Sequence, residues 1–206
     1  MTQPEKRMTF PNPMLVVVSG PSGVGKSTIV AALARRNPQV VPIVTATTRP
    51  QRAGEIDGVH YHFLSEAEFT ALMERDGLLE HANNHGYWYG TPIDQVRGIL
   101  AAGRDAILTI SPEGARNVRQ QVPDALLIFV MPPSMEALTH RLRGRGSESE
   151  ASLERRRRDA ERWIAEAGDY DAVVVNETGH VEEAADRIWE IIQAEARRDP
   201  PRRPRV

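Results

Sequence analysis

Apolar positions along this chain follow two different periods, and the two alternate. In short runs nearly every residue is apolar, as in Met14-Leu15-Val16-Val17-Val18 before Ser19. Such runs predict strands covered on both faces. Strands are predicted over 14–19, 42–46, 106–110, 125–130 and 172–175. Between them the apolar residues fall at helical spacing. Ile29, Val30 and Leu33 mark a helix over 26–36, stopped by Asn37-Pro38. Further helices are predicted over 92–102, 113–121, 134–143, 149–167 and 181–196. This alternation predicts an α/β fold, with a parallel sheet covered by helices on both faces.

Two stretches break the rhythm. Residues 49–89 are rich in aromatics, histidine and glycine around one helix, 65–75, and read as an inserted lobe. Residues 144–149 form a polar hinge before a long charged helix, the pattern of a mobile flap. The expected division is a core of 14–48, 92–137 and 160–196, a lobe of 49–91 and a lid of 138–159. The polar residues 1–13 and the Pro- and Arg-rich 197–206 are expected to be disordered tails.

Composition narrows the function. At 206 residues the chain can bury one sizeable core. Lys plus Arg number 26 against 28 for Asp plus Glu, a net charge of −2, which argues against a general nucleic-acid binder. There is no cysteine, so disulfides, thiolate zinc sites and cysteine nucleophiles are excluded. The apolar run 14–18 is too short to span a bilayer, and the first residues lack a signal-like apolar stretch. A cytoplasmic protein without a membrane partner is expected. The histidines show no metal-binding spacing, and His60 and His62 are expected on the lobe surface.

The strongest chemical signal is Gly20-Pro21-Ser22-Gly23-Val24-Gly25-Lys26-Ser27, which fits G-x-x-x-x-G-K-[ST] between a predicted strand and helix. In such a loop, backbone N–H groups turn inward toward phosphate oxygens, and the helix N-terminus adds its positive end. Lys26 is expected at the β- and γ-phosphates of a nucleoside triphosphate, with the Ser27 hydroxyl on magnesium. A plain glycine turn does not require Lys and Ser after its last glycine.

In the lobe, Arg49 and Arg52 are spaced so that both could grip one phosphate. By residue type alone, loop arginines are more often solvated surface. Tyr61, Tyr87 and Tyr89 could equally be lobe core, and Glu80 would ordinarily be exposed at a strand end.

Together these residues resemble the guanylate kinase family. The resemblance covers about 15–177. It rests on the phosphate loop extended to Thr28, on Thr47-Thr48-Arg49-Pro50-Gln51-Arg52-Ala53-Gly54-Glu55, and on Leu79-Glu80-His81-Ala82. Tyr87-Trp88-Tyr89-Gly90-Thr91, Arg141-Leu142-Arg143-Gly144-Arg145-Gly146 and Val174-Val175-Asn176 complete it. The resemblance implies transfer of a phosphoryl group from ATP, with magnesium, to GMP or dGMP. It further implies that Arg49, Arg52, Tyr61 and Tyr89 hold the GMP phosphate. Glu80 and Thr91 would read guanine, with Thr45 nearby. Arg141, Arg145 and Arg156 would reach the triphosphate from the lid, and Asn176 would lie near the adenine. Whether the enzyme is a monomer or a homodimer is left open.

One segment departs from the family pattern. After the third strand the family carries two acids, where this chain has Thr109 and Ser111, followed by Pro112-Glu113-Gly114-Ala115. The departure motivates one alternative, a related kinase with another acceptor such as a ribose bisphosphate; a second alternative, from another class, is a non-catalytic guanylate-kinase-like binding module. Glu80 and Thr91 argue against the first, and the intact phosphate loop against the second.

Overall fold

The computed structural model describes residues 12–84, 86–143 and 150–206. The chain begins with β1 (Leu15–Ser19), α1 (Lys26–Arg36), β2 (Val40–Pro42), β3 (Ala46–Thr47) and β4 (His62–Phe63). It continues through α2 (Glu66–Glu74), β5 (Leu78–Asn84), β6 (Tyr87–Pro92), α3 (Ile93–Ala101) and β7 (Asp105–Thr109). The remainder is α4 (Pro112–Gln121), β8 (Leu126–Met131), α5 (Met135–Arg143), α6 (Glu150–Ala165), β9 (Ala172–Val175) and α7 (Val181–Ala196).

The strands form two sheets. The first has the order β2-β7-β1-β8-β9, and all its pairs are parallel. Its central strand, β1, is buried along its whole length. Alternate side chains of β1 point to opposite faces, as the pleat requires. Val16 and Val18 pack with Ile29 and Leu33 of α1 and Ile188 of α7. Leu15 and Val17 pack with Val96 of α3 and Val118 of α4. The near-continuous apolar strands follow from burial on both faces. Asp105 is fully buried at the start of β7, where its carboxylate accepts the Met14 N–H at 2.8 Å.

The second sheet, β4-β3-β6-β5, is mostly antiparallel and belongs to the lobe. Its helix α2 starts with a capping box, in which Ser65 and Glu68 each satisfy the other's main-chain N–H.

Two expectations need correction. The single strand expected over 42–46 is two: β2 pairs with β7 in the core sheet, and β3 joins the lobe sheet. Between them the Val44 peptide is held by the Gln95 side chain, which accepts its N–H at 3.2 Å and donates to its carbonyl at 3.2 Å. The chain therefore crosses from one sheet to the other inside what looked like one apolar run.

The second correction concerns 197–206, which is docked and not loose. Arg202 is 7% exposed and pairs with Glu195 at 2.6 Å and Asp171 at 3.2 Å. It also donates to the Ala125 carbonyl at 3.0 Å, and Val206 packs against the core beside α3. The tail's composition looks disordered because its acidic partners sit on other elements. The expectation of a disordered N-terminus falls largely on 1–11, outside the described residues, as does the expected hinge 144–149. Among the described residues, no helix is long and apolar enough to cross a membrane.

Candidate active site

The glycine-rich loop joins the C-terminal end of β1 to α1, at the carboxyl ends of the strands, where open α/β folds bind ligands. Gly25 is the N-cap of α1 with φ of 101°, a left-handed conformation that favours glycine. A Cβ there would also lie 2.5 Å from Asn176 Nδ2. That amide donates to the Val24 carbonyl at 2.7 Å and clamps the loop from the end of β9. Lys26 Nζ donates to the Gly20 and Pro21 carbonyls at 2.7 and 3.0 Å, so its charge lies across the loop. The first turn of α1 has no acidic residue to offset its positive end, and Ser27 and Thr28 are exposed there.

Two of the expected lid arginines meet the loop. Arg156 donates to Ser22 Oγ at 3.0 Å. Its neighbours Arg155, Arg157 and Arg158 are exposed, as a helical run must scatter its directions, and Arg157 pairs with Glu161 at 3.1 Å. Arg141 donates to the Asn176 carbonyl at 2.9 Å, to Thr178 Oγ1 at 3.0 Å and to the Val24 carbonyl at 3.3 Å. With Gly23, Gly25, Thr28, Asn176 and Thr178 it lines a cleft of about 190 Å³. Arg145 lies outside the described residues.

In and beside the lobe sheet several of the expected residues meet one another. Arg49 is buried and pairs with Glu55 at 2.7 Å. Its guanidinium sits 5.4 Å from the Tyr61 ring centroid, a cation–π contact. Tyr61 and Tyr89 meet edge to face at 6.0 Å. Burial works most strongly against the Arg49 charge, but the Glu55 bond together with the charges and hydroxyl of Glu55 and Tyr89 outweighs it, and the pKa lies above its ordinary value. Burial pushes the Tyr61 hydroxyl up. Arg52 is exposed, and its main-chain N–H donates to Glu55 Oε2 at 2.8 Å. Glu55 was not among the expected site residues, although its place in the same short motif as both arginines was a signal. Thr45 is buried beside β4, its carbonyl accepting the His62 N–H at 2.9 Å. His60 accepts the Ile56 N–H at 2.9 Å, and His62 meets Gln95 at 2.9 Å, so both histidines organise the lobe.

At the lobe's base, Glu80 and Thr91 face each other across the antiparallel β5–β6 pair. The Thr91 hydroxyl donates to Glu80 Oε1 at 2.7 Å, and both residues are buried. Burial pushes the Glu80 carboxyl up to about 7; the Thr91 bond lowers it and the charge of Glu113 raises it further. A buried carboxylate is tolerated only when it is paired, and Thr91 pairs one of the two Glu80 oxygens.

A profile of the guanylate kinase family matches residues 12–195, most of the chain. The chain belongs to the guanylate kinase family. It is 46% identical over 188 residues to a guanylate kinase of Symbiobacterium thermophilum, covering 91% of this chain and 88% of that one. It is 47% identical over 180 residues to one of Thermobifida fusca, covering 87% and 91%. The crystal structure of guanylate kinase from Anaplasma phagocytophilum superposes with a TM-score of 0.76 at 32% identity, covering 91% of this chain and 88% of that one.

The segment expected to depart from the family pattern, Thr109 and Ser111, joins β7 to α4. Thr109 ends β7, half-buried. Ser111 is the N-cap of α4, and its hydroxyl accepts the Gly114 N–H at 3.2 Å. Asn84 Nδ2 donates to the same hydroxyl at 3.4 Å, tying α4 to β5. Glu113 is exposed in the first turn of α4 and acts on Glu80 through its charge.

Proposed function

We propose that this guanylate kinase family member transfers the γ-phosphoryl group of ATP to GMP or dGMP, giving ADP and GDP or dGDP. The observation that carries the acceptor assignment is the buried Glu80–Thr91 pair. Guanine presents N1–H and N2–H₂ side by side, and a carboxylate can accept from both. Adenine would turn a ring lone pair toward Glu80 and leave buried groups unpaired. Such a mismatch costs roughly 10⁴-fold in discrimination.

The remaining residues supply grip and charge. Arg49, Arg52, Tyr61 and Tyr89 hold the acceptor phosphate, with Thr45 beside them. The loop amides, Lys26 and the α1 N-terminus hold the donor phosphates, and Asn176 borders the adenine cleft. Lys26, Arg141, Arg145 and Arg156 offset charge that spreads over the equatorial oxygens during in-line transfer. An oxygen of the acceptor phosphate bonds to the γ-phosphorus as the bridging bond breaks, and the electron pair leaves with ADP. That oxygen is already ionised, so no general base is required.

Magnesium would meet one hard protein oxygen, the exposed Ser27 hydroxyl. No cluster of three or more metal-ligating side chains exists among the described residues. That donor set fits an ion held chiefly by phosphates and water. When bound, the ion neutralises phosphate charge.

The test is an acceptor screen with ATP and magnesium, covering GMP, dGMP, AMP, CMP, UMP and ribose phosphates. GMP and dGMP should be used far better than the others. Equal turnover of GMP and AMP, or preference for a ribose phosphate, would overturn the acceptor assignment.

A further inference from the structure

Gly114 is buried in the first turn of α4, and its φ lies outside the left-handed region. Its backbone conformation therefore does not call for glycine, and alanine is the better helix former. What calls for glycine is a neighbour. A Cβ on Gly114 would lie 2.6 Å from Glu80 Oε2 and 3.3 Å from Glu80 Cδ. A Cβ has no room at 2.6 Å, so one of the two must move.

The helix is poorly placed to move. The Gly114 N–H is held by Ser111 Oγ at 3.2 Å, and the Ala115 N–H by the Ser111 carbonyl at 2.9 Å. One turn on, Asn117 donates to the His81 carbonyl at 3.1 Å and fixes α4 to the strand that carries Glu80. The carboxylate is the softer partner. One of its oxygens is engaged by Thr91 at 2.7 Å, and the other rests in the space left by the missing side chain.

We infer that Gly114 is a specificity-determining position: its lack of a side chain seats the second oxygen of Glu80 and so aims the carboxylate at the acceptor base. This rests on the reading of Glu80 as the guanine contact. Gly114 acts through Glu80 and is a positioning residue.

The test is a double-mutant cycle of Gly114→Ala and Glu80→Ala, read as kcat/KM for GMP and AMP, KM for ATP, and Tm. Gly114→Ala should lower kcat/KM for GMP by at least about tenfold, short of the roughly 10⁴-fold of a wholly unpaired site. The loss should appear in the KM for GMP, and the preference over AMP should narrow. KM for ATP should be unchanged, and Tm should stay within about 4 °C of wild type, a small change for a chain of this size. In the Glu80→Ala background, Gly114→Ala should have no further effect on GMP, because no carboxylate remains to displace. If Gly114→Ala leaves GMP use intact while Glu80→Ala destroys it, Glu80 reads the base and Gly114 does not seat it. If the two losses simply multiply, Gly114 acts by another route and the inference fails. If Glu80→Ala keeps full preference for GMP, the guanine reading of Glu80 falls and takes this inference with it.

Discussion

Arg156 of α6 and Ser22 of the phosphate loop are hydrogen-bonded, Nη1 to Oγ, at 3.0 Å. Their separation in sequence is 134 residues. The bond places a guanidinium on the lip of the loop that would cradle the donor phosphates. It also selects one arginine from a run of four, since Arg155, Arg157 and Arg158 are exposed.

Arg156→Ala should therefore lower kcat by on the order of 10²-fold or more, the scale seen when a preorganised charge no longer stabilises a transition state. Ser22→Ala removes only the partner hydroxyl and should cost less than about tenfold. Steady-state kinetics with saturating ATP and GMP make the comparison. A larger loss for Ser22→Ala would mean that Arg156 acts only by bracing the loop.

Lys26→Met should remove most transfer activity, again on the order of 10²-fold or more in kcat. The Lys26 ammonium bonds the Gly20 and Pro21 carbonyls at the rim of the loop, so the core is untouched. Tm should shift by no more than about 4 °C. Activity within a few-fold of wild type would remove Lys26 from the catalytic group.

Glu80 should impose a pH dependence. Its carboxyl is pushed up to about 7 in the folded protein, from an ordinary value of 4.5, chiefly by burial. Only the ionised form accepts from both guanine donors, so kcat/KM for GMP should rise with pH and level off above about 7. The sign for stability is the reverse. A raised folded pKa means that the protonated form favours folding. That contribution is complete below 4.5 and is lost as pH rises through about 7. Glu80→Gln should flatten Tm against pH in that window and remove the enzyme's step from the rate profile, leaving only the phosphate titration of GMP near pH ~6. Glu113→Gln should move the midpoint to lower pH, because its charge raises the Glu80 pKa. An unchanged midpoint in Glu113→Gln would show that the two carboxylates do not interact.

Arg202→Ala should lower stability without touching catalysis. The side chain is 6% exposed, and its partners Asp171 and Glu195 are 25% and 26% exposed. Breaking a fully buried pair costs about 3–5 kcal/mol; here the carboxylates can recover part of their hydration, so roughly 2 kcal/mol is expected. In a chain of this length that is a Tm loss of roughly 4–8 °C. Thermal denaturation and GMP kinetics on the same sample check it. An unchanged Tm would mean that the docked C-terminal segment does not contribute to stability.

Much of the fold was legible because burial on two faces leaves a local signature. The strand at 172–175 and the helices at 26–36 and 181–196 were placed to the residue. The phosphate loop was legible because its lysine, serine and glycines must be neighbours in sequence to curl around one ligand. The lobe arginines and tyrosines were legible through their motifs, but Glu55 as the partner of Arg49 was not singled out. The apolar run at 42–46 misled, since strands of two different sheets share it and nothing local marks the crossing.

By itself, then, the sequence determined the α/β architecture, the glycine-rich loop between the first strand and helix, and the family. Periodicity and contiguous motifs encode these, and both are properties of near neighbours. The resemblance singled out Arg156 from the run 155–158, but only the tertiary structure decided that its partner is Ser22, and that Glu80 is buried beside Thr91 rather than exposed at a strand end. It alone put Gly114 against the Glu80 carboxylate and anchored 197–206 through Arg202. Each of these joins elements far apart in the chain. Their energies depend on desolvation and on distances of a few tenths of an ångström, and these are fixed only when the sheets and helices pack.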